Sequence, residues 1–446
     1  MFSLNFMTLL RAFIIFFIFC SNTAFASIIK DSEIEEVINE VIEPIKKISG
    51  LKDLKIYIIN DPIPNAFTIG GNAVFINSGL IIDFPDPDIL RGIVAHEIGH
   101  IAGHHVIRQQ EVIKNYQRAA FGATLLGLAT AMASKPEGGS AVMMAGQHMS
   151  KRSVYAYSRT FESSADQTAM SLLERSSHST VGLIYFFEKM KTFSKSHMVN
   201  PYDQTHPMDS DRLSILRNFN KTSKFKETQN SDDLIDRYAI ASAKLAAFTL
   251  DINKILDRIY DEDNWVIEHY VKAIKNFRIG NFDDTLNHVN HLIMKYPDNP
   301  YYHELKAQIY FEFGKDSALN EYNIALSYRP NDILIRLERA IVGLTQTINN
   351  PRAITRYYQD LLMVVQKDPD NLLALYYLSI FFEKKGLIGK SYLNTALIAF
   401  KSGRMDDAKN LADAAIKNLQ KKSPEWYKAS DLITLIEIED KENSRK

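Results

Sequence analysis

The sequence predicts an α+β chain: a mainly helical domain with a small β-sheet, followed by an all-α solenoid of repeats. Three observations carry this. Short apolar or alternating runs of strand character, Leu54–Ile59, Asn65–Ile69 and Ala73–Asn77, cluster near one end of the chain. Helical spacing dominates the rest, and the far part repeats a Gly-to-Pro-Asn pattern. The 446 residues are too many for one ordinary core, so two domains are expected.

Residues 1–26 have the pattern of a secretory signal. Arg11 is their only charge, Ala12 to Cys20 is a continuous apolar run, and Ala24-Phe25-Ala26 is an A-x-A cleavage site before Ser27. The run is short for a membrane span. Phe19 is too large for the small residue expected before a lipidated cysteine. Cys20 is the only cysteine, so the mature chain would carry no thiol, which suits an oxidising compartment. Apolar content of 46% is globular, and a net charge of −1 with scattered basic residues leaves no nucleic-acid footprint.

The elements follow in order. Ile34, Val37, Ile38, Val41, Ile42 and Ile45 recur at helical spacing and predict a helix over 28–50. Leu54–Ile59 is a strand, and the runs flanking Gly70-Gly71 form a hairpin or a strand bend. In Phe84-Pro85-Asp86-Pro87-Asp88, either Asp86, with Pro87 at the first helical position, or Asp88 can cap the next helix. Ile89, Leu90, Ile93, Val94 and Ile101 give that helix apolar positions, so it is buried. Residues 106–134 read as helical. Their apolar stretch Ala119–Ala133 falls short of the ~20 residues a span needs, which favours a buried or lid helix. Lys135–Ser140 is a loop, 154–175 a second long helix, and the polar stretch Asn218–Asp233 a linker. The expected division is signal 1–26, a first domain 27–218, linker and connecting helices 219–261, and repeats 262–446.

The repeats show as Gly280-Asn281-Phe282-Asp283-Asp284 followed by Pro297-Asp298-Asn299, then Gly314 to Ala318 leading to Ala325 and Pro330-Asn331-Asp332. Pro369-Asp370-Asn371 closes a third unit, and Gly403 to Ala408 with Ala415 opens a fourth. Small residues let paired helices touch, and Pro stops the second helix of each unit. This resembles tetratricopeptide repeats, in a degenerate form.

The buried helix carries His96-Glu97-Ile98-Gly99-His100, an H-E-x-x-H pattern. Residues four apart on a helix share a face, so both imidazoles point at one metal. Glu97 sits beside them, placed to take a proton from the attacking water without ligating zinc. A hydrolytic zinc site wants a third protein ligand and an open position. Val106 stands where a third histidine six residues on would be needed, and His104 or His105 would lie close to the same helix face with poor geometry. Glu162, in Phe161-Glu162-Ser163-Ser164-Ala165-Asp166, is the better third ligand. Asp166 lies four residues on, on the same helix face, and can accept the free N–H of a ligand histidine. Read alone, that pair is also compatible with a solvated acidic face. His148, like His104 and His105, is read as supporting structure.

Together with Thr205-His206-Pro207, Arg212, Asn65-Ala66-Phe67 and Gly79-Leu80, these motifs resemble the HtpX and CAAX-prenyl-protease-related zinc metallopeptidases. The signal segment and C-terminal repeats are similar to the BepA-like (YfgC-like) periplasmic branch. The resemblance implies a zincin-type peptidase domain with one Zn2+, ligands His96, His100 and Glu162, general base Glu97 and supporting Asp166. It places His206 near the metal, as a fourth ligand that displaces water or as a donor to the oxyanion. Arg212 either pairs with a nearby carboxylate or stabilises that oxyanion. The membrane helices of HtpX have no counterpart, so no membrane-embedded substrate tunnel is implied.

The chemistry expected is zinc-dependent endopeptidase hydrolysis. The strand over Asn72, Ala73, Val74, Phe75, Ile76 and Asn77 would bind substrate as an added strand. Such recognition suits unfolded or misassembled polypeptides. The repeats offer a partner surface, and the resemblance implies the outer-membrane β-barrel assembly machinery. Peripheral membrane association is compatible with the sequence. The rival reading is a chaperone or docking scaffold with a latent zinc site.

Overall fold

The computed structural model describes residues 28–109, 111, 158–196, 202, 206, 210–253, 264–347 and 354–443. The expected signal segment, most of the helix and loop over 106–140, and His148 lie outside the described residues. The chain divides into two compact units, Met1–Lys275 and Asn276–Lys446.

In the first unit the opening helix starts later than its periodicity predicts. Ile28–Ile29 form a short strand, β1, and α1 runs Ser32–Ser49. Asp31 sets the boundary because its side chain accepts from Ile34 N and caps the helix, while Gly50 ends it at φ 77°. Strands β2 (Lys55–Ile59), β3 (Ala66–Phe67) and β4 (Ala73–Asn77) join β1 in one sheet of order β1-β2-β4-β3. β1 and β2 pair antiparallel, β2 and β4 parallel, and β3 and β4 antiparallel. Gly70 and Gly71, at φ 112° and 68°, turn the chain between β3 and β4.

α2 (Ser78–Asp83) leads into α3 (Pro87–Ala102), the helix that carries the motif. Asp86 is its cap, accepting from Asp88 N at 2.8 Å, with Pro87 in the first turn. Ile89, Leu90, Ile93, Val94 and Ile98 are all buried, so α3 is a core helix. Glycines let its neighbours reach its backbone. A Cβ on Gly99 would lie 2.7 Å from Ala165 Cα, in α4 (residues 158–175). A Cβ on Gly92 would lie 2.8 Å from Leu183 Cβ, in α5 (Val181–Ser196).

α6 (Ser210–Thr222) and α7 (Asp232–Thr249) follow. The stretch read as a linker is thus partly helical. α7 puts Leu234, Tyr238, Ala241 and Leu245 into the same hydrophobic core as α3. That apolar stripe is the physical reason why part of 219–261 serves as core of the first unit. Buried Lys244 then pairs with Asp31 and Glu33, and Glu33 accepts a 2.6 Å bond from Tyr270 OH in α8 (Trp265–Arg278).

The second unit is helical among the described residues. α9 (Phe282–Lys295) packs on α10 (Pro300–Glu312), α10 on α11 (Ala318–Tyr328), and α11 on α12 (Ile333–Thr347). The chain then runs through α13 (Ile354–Lys367), α14 (Leu372–Lys384), α15 (Ile388–Lys401), α16 (Met405–Asn418) and α17 (Pro424–Asn443). Gly280, Gly314 and Gly403, from the repeat pattern, all turn at positive φ. Fully buried Ala307, Ala318 and Ala325 fill one core cluster, and Ala396, Ala399, Ala408 and Ala412 another. The whole is the expected α+β chain: a mainly helical, sheet-bearing first part, then helical hairpins. Among the described residues, no helix is long and apolar enough to cross a membrane.

Candidate metal centre and active site

The site begins with helix spacing. His96 and His100 leave the same face of α3, and their Nε2 atoms face each other at 3.1 Å. The Gly99–Ala165 approach lays α4 against that face, and the spacing of four in α4 brings both its carboxylates to the histidines. His100 Nε2 lies 3.3 Å from Glu162 Oε1, and His96 Nε2 3.4 Å from Glu162 Oε2. His96, His100, Glu162 and His206 each offer one ligand atom within 4.8 Å of the others, and all four are buried.

These distances test whether a zinc ion fits. Ligands at about 2.0–2.2 Å from a tetrahedral zinc stand about 3.3–3.6 Å apart. The two Nε2 atoms and the Glu162 carboxylate are at nearly that spacing, and two imidazoles with a carboxylate are a zinc donor set. Burying so many ionisable groups has no packing rationale. The residues present fit the metal.

Each ligand has a supporting partner. His96 Nδ1 lies 2.9 Å from Asp166 Oδ1, an ion-pair distance though not a well-aligned hydrogen bond. Burial pulls the His96 imidazole down, but Asp166 and Glu162 outweigh it and push it up to about 9. Behind His100, its Nδ1 meets His105 Nδ1 at 3.0 Å. Burial, then the neighbouring His100, lowers His105 to about 4, so its ring is neutral. His105 stacks on Phe161 at 4.4 Å between ring centroids. His105, expected as supporting structure, stands directly behind the ligand His100.

Arg212, from α6, reaches the same two carboxylates of α4. Its Nε and Nη2 grip Asp166 at 2.6 and 2.9 Å, and its Nη1 lies 3.0 Å from Glu162 Oε2. Of the two roles open to Arg212, this geometry is carboxylate pairing. Burial opposes the charge on Asp166, but Arg212 and His96 outweigh it and hold the carboxyl below its usual range. Glu162 is likewise held well down by His100, His206 and His96 against burial.

Glu97 is fully buried, and among the described residues neither carboxylate oxygen has a hydrogen-bond partner. His206 Nε2 lies 3.5 Å from Oε1, too long to satisfy it. His206 Nδ1 lies 3.3 Å from Glu162 Oε2, and the ring stacks on Tyr202 at 4.7 Å. The same Nε2 is 3.3 Å from Ala66 O in β3, which places the end of that strand at the site.

One expectation is corrected here. The strand Asn72–Asn77 cannot accept a substrate strand along its length. β4 is interior: Ala73–Asn77 pair with Lys55–Ile59 on one side, and Phe75 and Ile76 pair with Phe67 and Ala66 on the other. Among the described residues β4 lies between β2 and β3, and β3 is the edge strand beside the site.

A buried H-E-x-x-H helix with a glutamate from a second helix defines a metallopeptidase centre. Residues 29–220 match the family profile "Peptidase family M48" and form a domain of that family. Among individual proteins, the chain is 23% identical over 312 residues to the beta-barrel assembly-enhancing protease of Escherichia coli (strain K12), covering 68% of this chain and 63% of that one. The Yersinia pestis protein of the same name is 24% identical over 271 residues, 59% of this chain and 54% of that one. A protease HtpX homolog of Sulfurihydrogenibium is 36% identical over 74 residues, 16% and 25% of the two chains. The chain thus spans under two thirds of the length of the barrel-assembly relatives it matches.

Proposed function

We propose that the chain is a zinc-dependent endopeptidase of the periplasm acting on misfolded or misassembled polypeptides in outer-membrane protein quality control. The observation that carries this is Glu97: a fully buried carboxylate without a hydrogen-bond partner, beside three residues at zinc-ligand spacing. The names of the barrel-assembly proteases support the setting. We read 27–218 as the peptidase domain, 219–261 as its connection, and 262–446 as tetratricopeptide-type repeats that bind a partner such as the barrel assembly machinery. In this reading residues 1–26 direct export and are cleaved before Ser27.

His96, His100 and Glu162 would hold a zinc ion, which would supply a Lewis acid for the scissile carbonyl and the attacking water. Glu97 accepts that water's proton and passes it to the leaving amine. Its lack of competing hydrogen bonds among the described residues keeps both oxygens available. Asp166 holds the His96 ring so that Nε2 faces the metal, and His105 does the same for His100. Arg212 fixes Asp166 and Glu162 and acts through them. The substrate pairs along the β3 edge next to Ala66, and main-chain pairing makes recognition tolerant of sequence.

His206 has two compatible roles, a fourth ligand that keeps the resting site latent or a donor to the oxyanion. Its place within the ligand group favours latency. The proposal as a whole is tested by casein hydrolysis with the purified chain. Activity should vanish on removal of zinc by chelation and return when zinc is restored. Hydrolysis that persists in the metal-free protein rejects it.

A further inference from the structure

His96 and His100 stand on a core helix, and each has a polar partner behind its ring, Asp166 at 2.9 Å and His105 at 3.0 Å. His206 is held differently. Among the described residues its imidazole nitrogens lie 3.3 Å from Glu162, 3.3 Å from Ala66 O and 3.5 Å from Glu97. All three contacts exceed the usual range of about 2.7–3.2 Å and do little to fix a ring. The close contacts are with Tyr202. His206 N donates to Tyr202 O at 2.7 Å, and the two rings stack at 4.7 Å with 27° between their planes. Tyr202 is fully buried and is rooted in the core in turn. It meets Phe186 of α5 edge to face at 5.0 Å, and Phe186 meets Phe84 in the same way at 5.1 Å. The next residue on α5, Phe187, serves the other side of the site, with the Arg212 guanidinium over its ring at 4.8 Å.

We propose that Tyr202 is the positioning residue of His206: its ring, mounted on Phe186, holds the imidazole within the metal-ligand group. This rests on the peptidase reading, in which His206 acts at the metal, and it applies to either role of His206. His96, His100 and Glu162 do not depend on Tyr202, because the Gly99–Ala165 contact sets the spacing of the helices that carry them. Removing the Tyr202 ring therefore releases one member of the centre and leaves the other three in place. A stacked aromatic pair shifts the balance between docked and released ring by about tenfold, so Tyr202 sets how often His206 leaves the site.

The test uses the full-length chain with zinc added, treated with diethylpyrocarbonate, which modifies accessible imidazoles. Mass spectrometry with fragmentation reads each histidine separately. Tyr202→Leu keeps apolar volume and removes the stacking plane, whereas Tyr202→Phe keeps both. His206 should react about tenfold faster in Tyr202→Leu than in the wild type, and within about twofold of the wild type in Tyr202→Phe. His96 and His100 should stay as protected as in the wild type in both variants. Unchanged protection of His206 in Tyr202→Leu, or its loss in Tyr202→Phe, overturns the proposal. An equal rise at His96, His100 and His206 also overturns it, since Tyr202 would then support the fold and not one side chain. Casein hydrolysis gives a second reading. Tyr202→Leu should shift it in the same direction as His206→Ala, and the double variant should match His206→Ala alone; additive effects contradict action through His206. Because modification is read without turnover, it decides the role of Tyr202 whether or not the chain hydrolyses casein.

Discussion

Gly99 of the H-E-x-x-H helix and Ala165 of the E-S-S-A-D helix touch backbone to backbone, so tightly that a Cβ on Gly99 would stand 2.7 Å from Ala165 Cα. Neither residue bears chemistry, yet their contact sets how far Glu162 and Asp166 stand from His96 and His100. Gly99→Ala should therefore push the two helices apart, cost about 1–3 kcal/mol of stability, as overpacking does, and lower zinc occupancy. Denaturant unfolding with metal analysis checks both. Full zinc occupancy at wild-type stability would mean that the helices give way without moving the ligands.

The carboxylates of α4 should separate by role. Glu162→Ala should lose most of the zinc, because two histidines leave the ion under-coordinated. Asp166→Ala should weaken metal binding only ~10–100-fold, as the loss of a histidine's supporting partner does. Metal content after dialysis ranks the two, and full occupancy in Glu162→Ala would point to another ligand.

Arg212 is buried and holds Asp166 through two nitrogens. Arg212→Ala leaves two buried carboxylates without that cation and should destabilise the first unit by about 3–5 kcal/mol. Arg212→Lys should recover only part, since an ammonium cannot grip Asp166 with a planar fork. Urea titrations of the three proteins decide it; equal midpoints would show that the pair adds nothing to the fold.

In the second unit, burial raises the Glu321 carboxyl, but His303 at 2.7 Å and Lys306 at 3.1 Å outweigh burial and hold it below the usual range. A depressed carboxyl adds stability that is complete above the unfolded value of about 4.3 and is lost as pH falls through the folded one. Glu321→Gln should then be less stable near neutrality by about 1–3 kcal/mol, with the gap closing in acid. Denaturation followed from pH 7 to 3 reads it, and a gap that widens in acid reverses the sign.

His206→Ala separates two mechanisms by direction. As a fourth ligand, His206 competes with water, and its removal raises proteolysis. As an oxyanion donor, its removal lowers activity by ~100-fold or more. Casein hydrolysis measured against the Glu97→Gln blank decides, and no change would leave His206 without either role.

Much of this site could be read from the sequence because its chemistry is local. Two histidines four apart, a glutamate between them, and a second pair of carboxylates four apart are helix-face facts, and periodicity placed both runs on helices. What escaped reading depends on contacts between distant segments. Arg212 and Asp166 are 46 residues apart, and nothing in either segment says which carboxylate the guanidinium takes. The order of strands is no more local. The run Asn72–Asn77 carries no mark of whether its neighbours in the sheet lie on one side or two, and only the pairing with β2 and β3 shows β4 to be interior. The start of α1 was missed because Ile28 and Ile29 fit the helical stripe, while the capping Asp31 outweighs that pattern.

The central claim is that Glu97 moves the proton in a zinc-bound peptidase site, and Glu97→Gln tests it most directly. Glutamine keeps the shape of the buried side chain and cannot accept the proton. The variant should retain one zinc per chain, fold like the wild type, and hydrolyse casein no faster than the metal-free protein. Hydrolysis near the wild-type rate in a zinc-loaded Glu97→Gln chain would contradict the account.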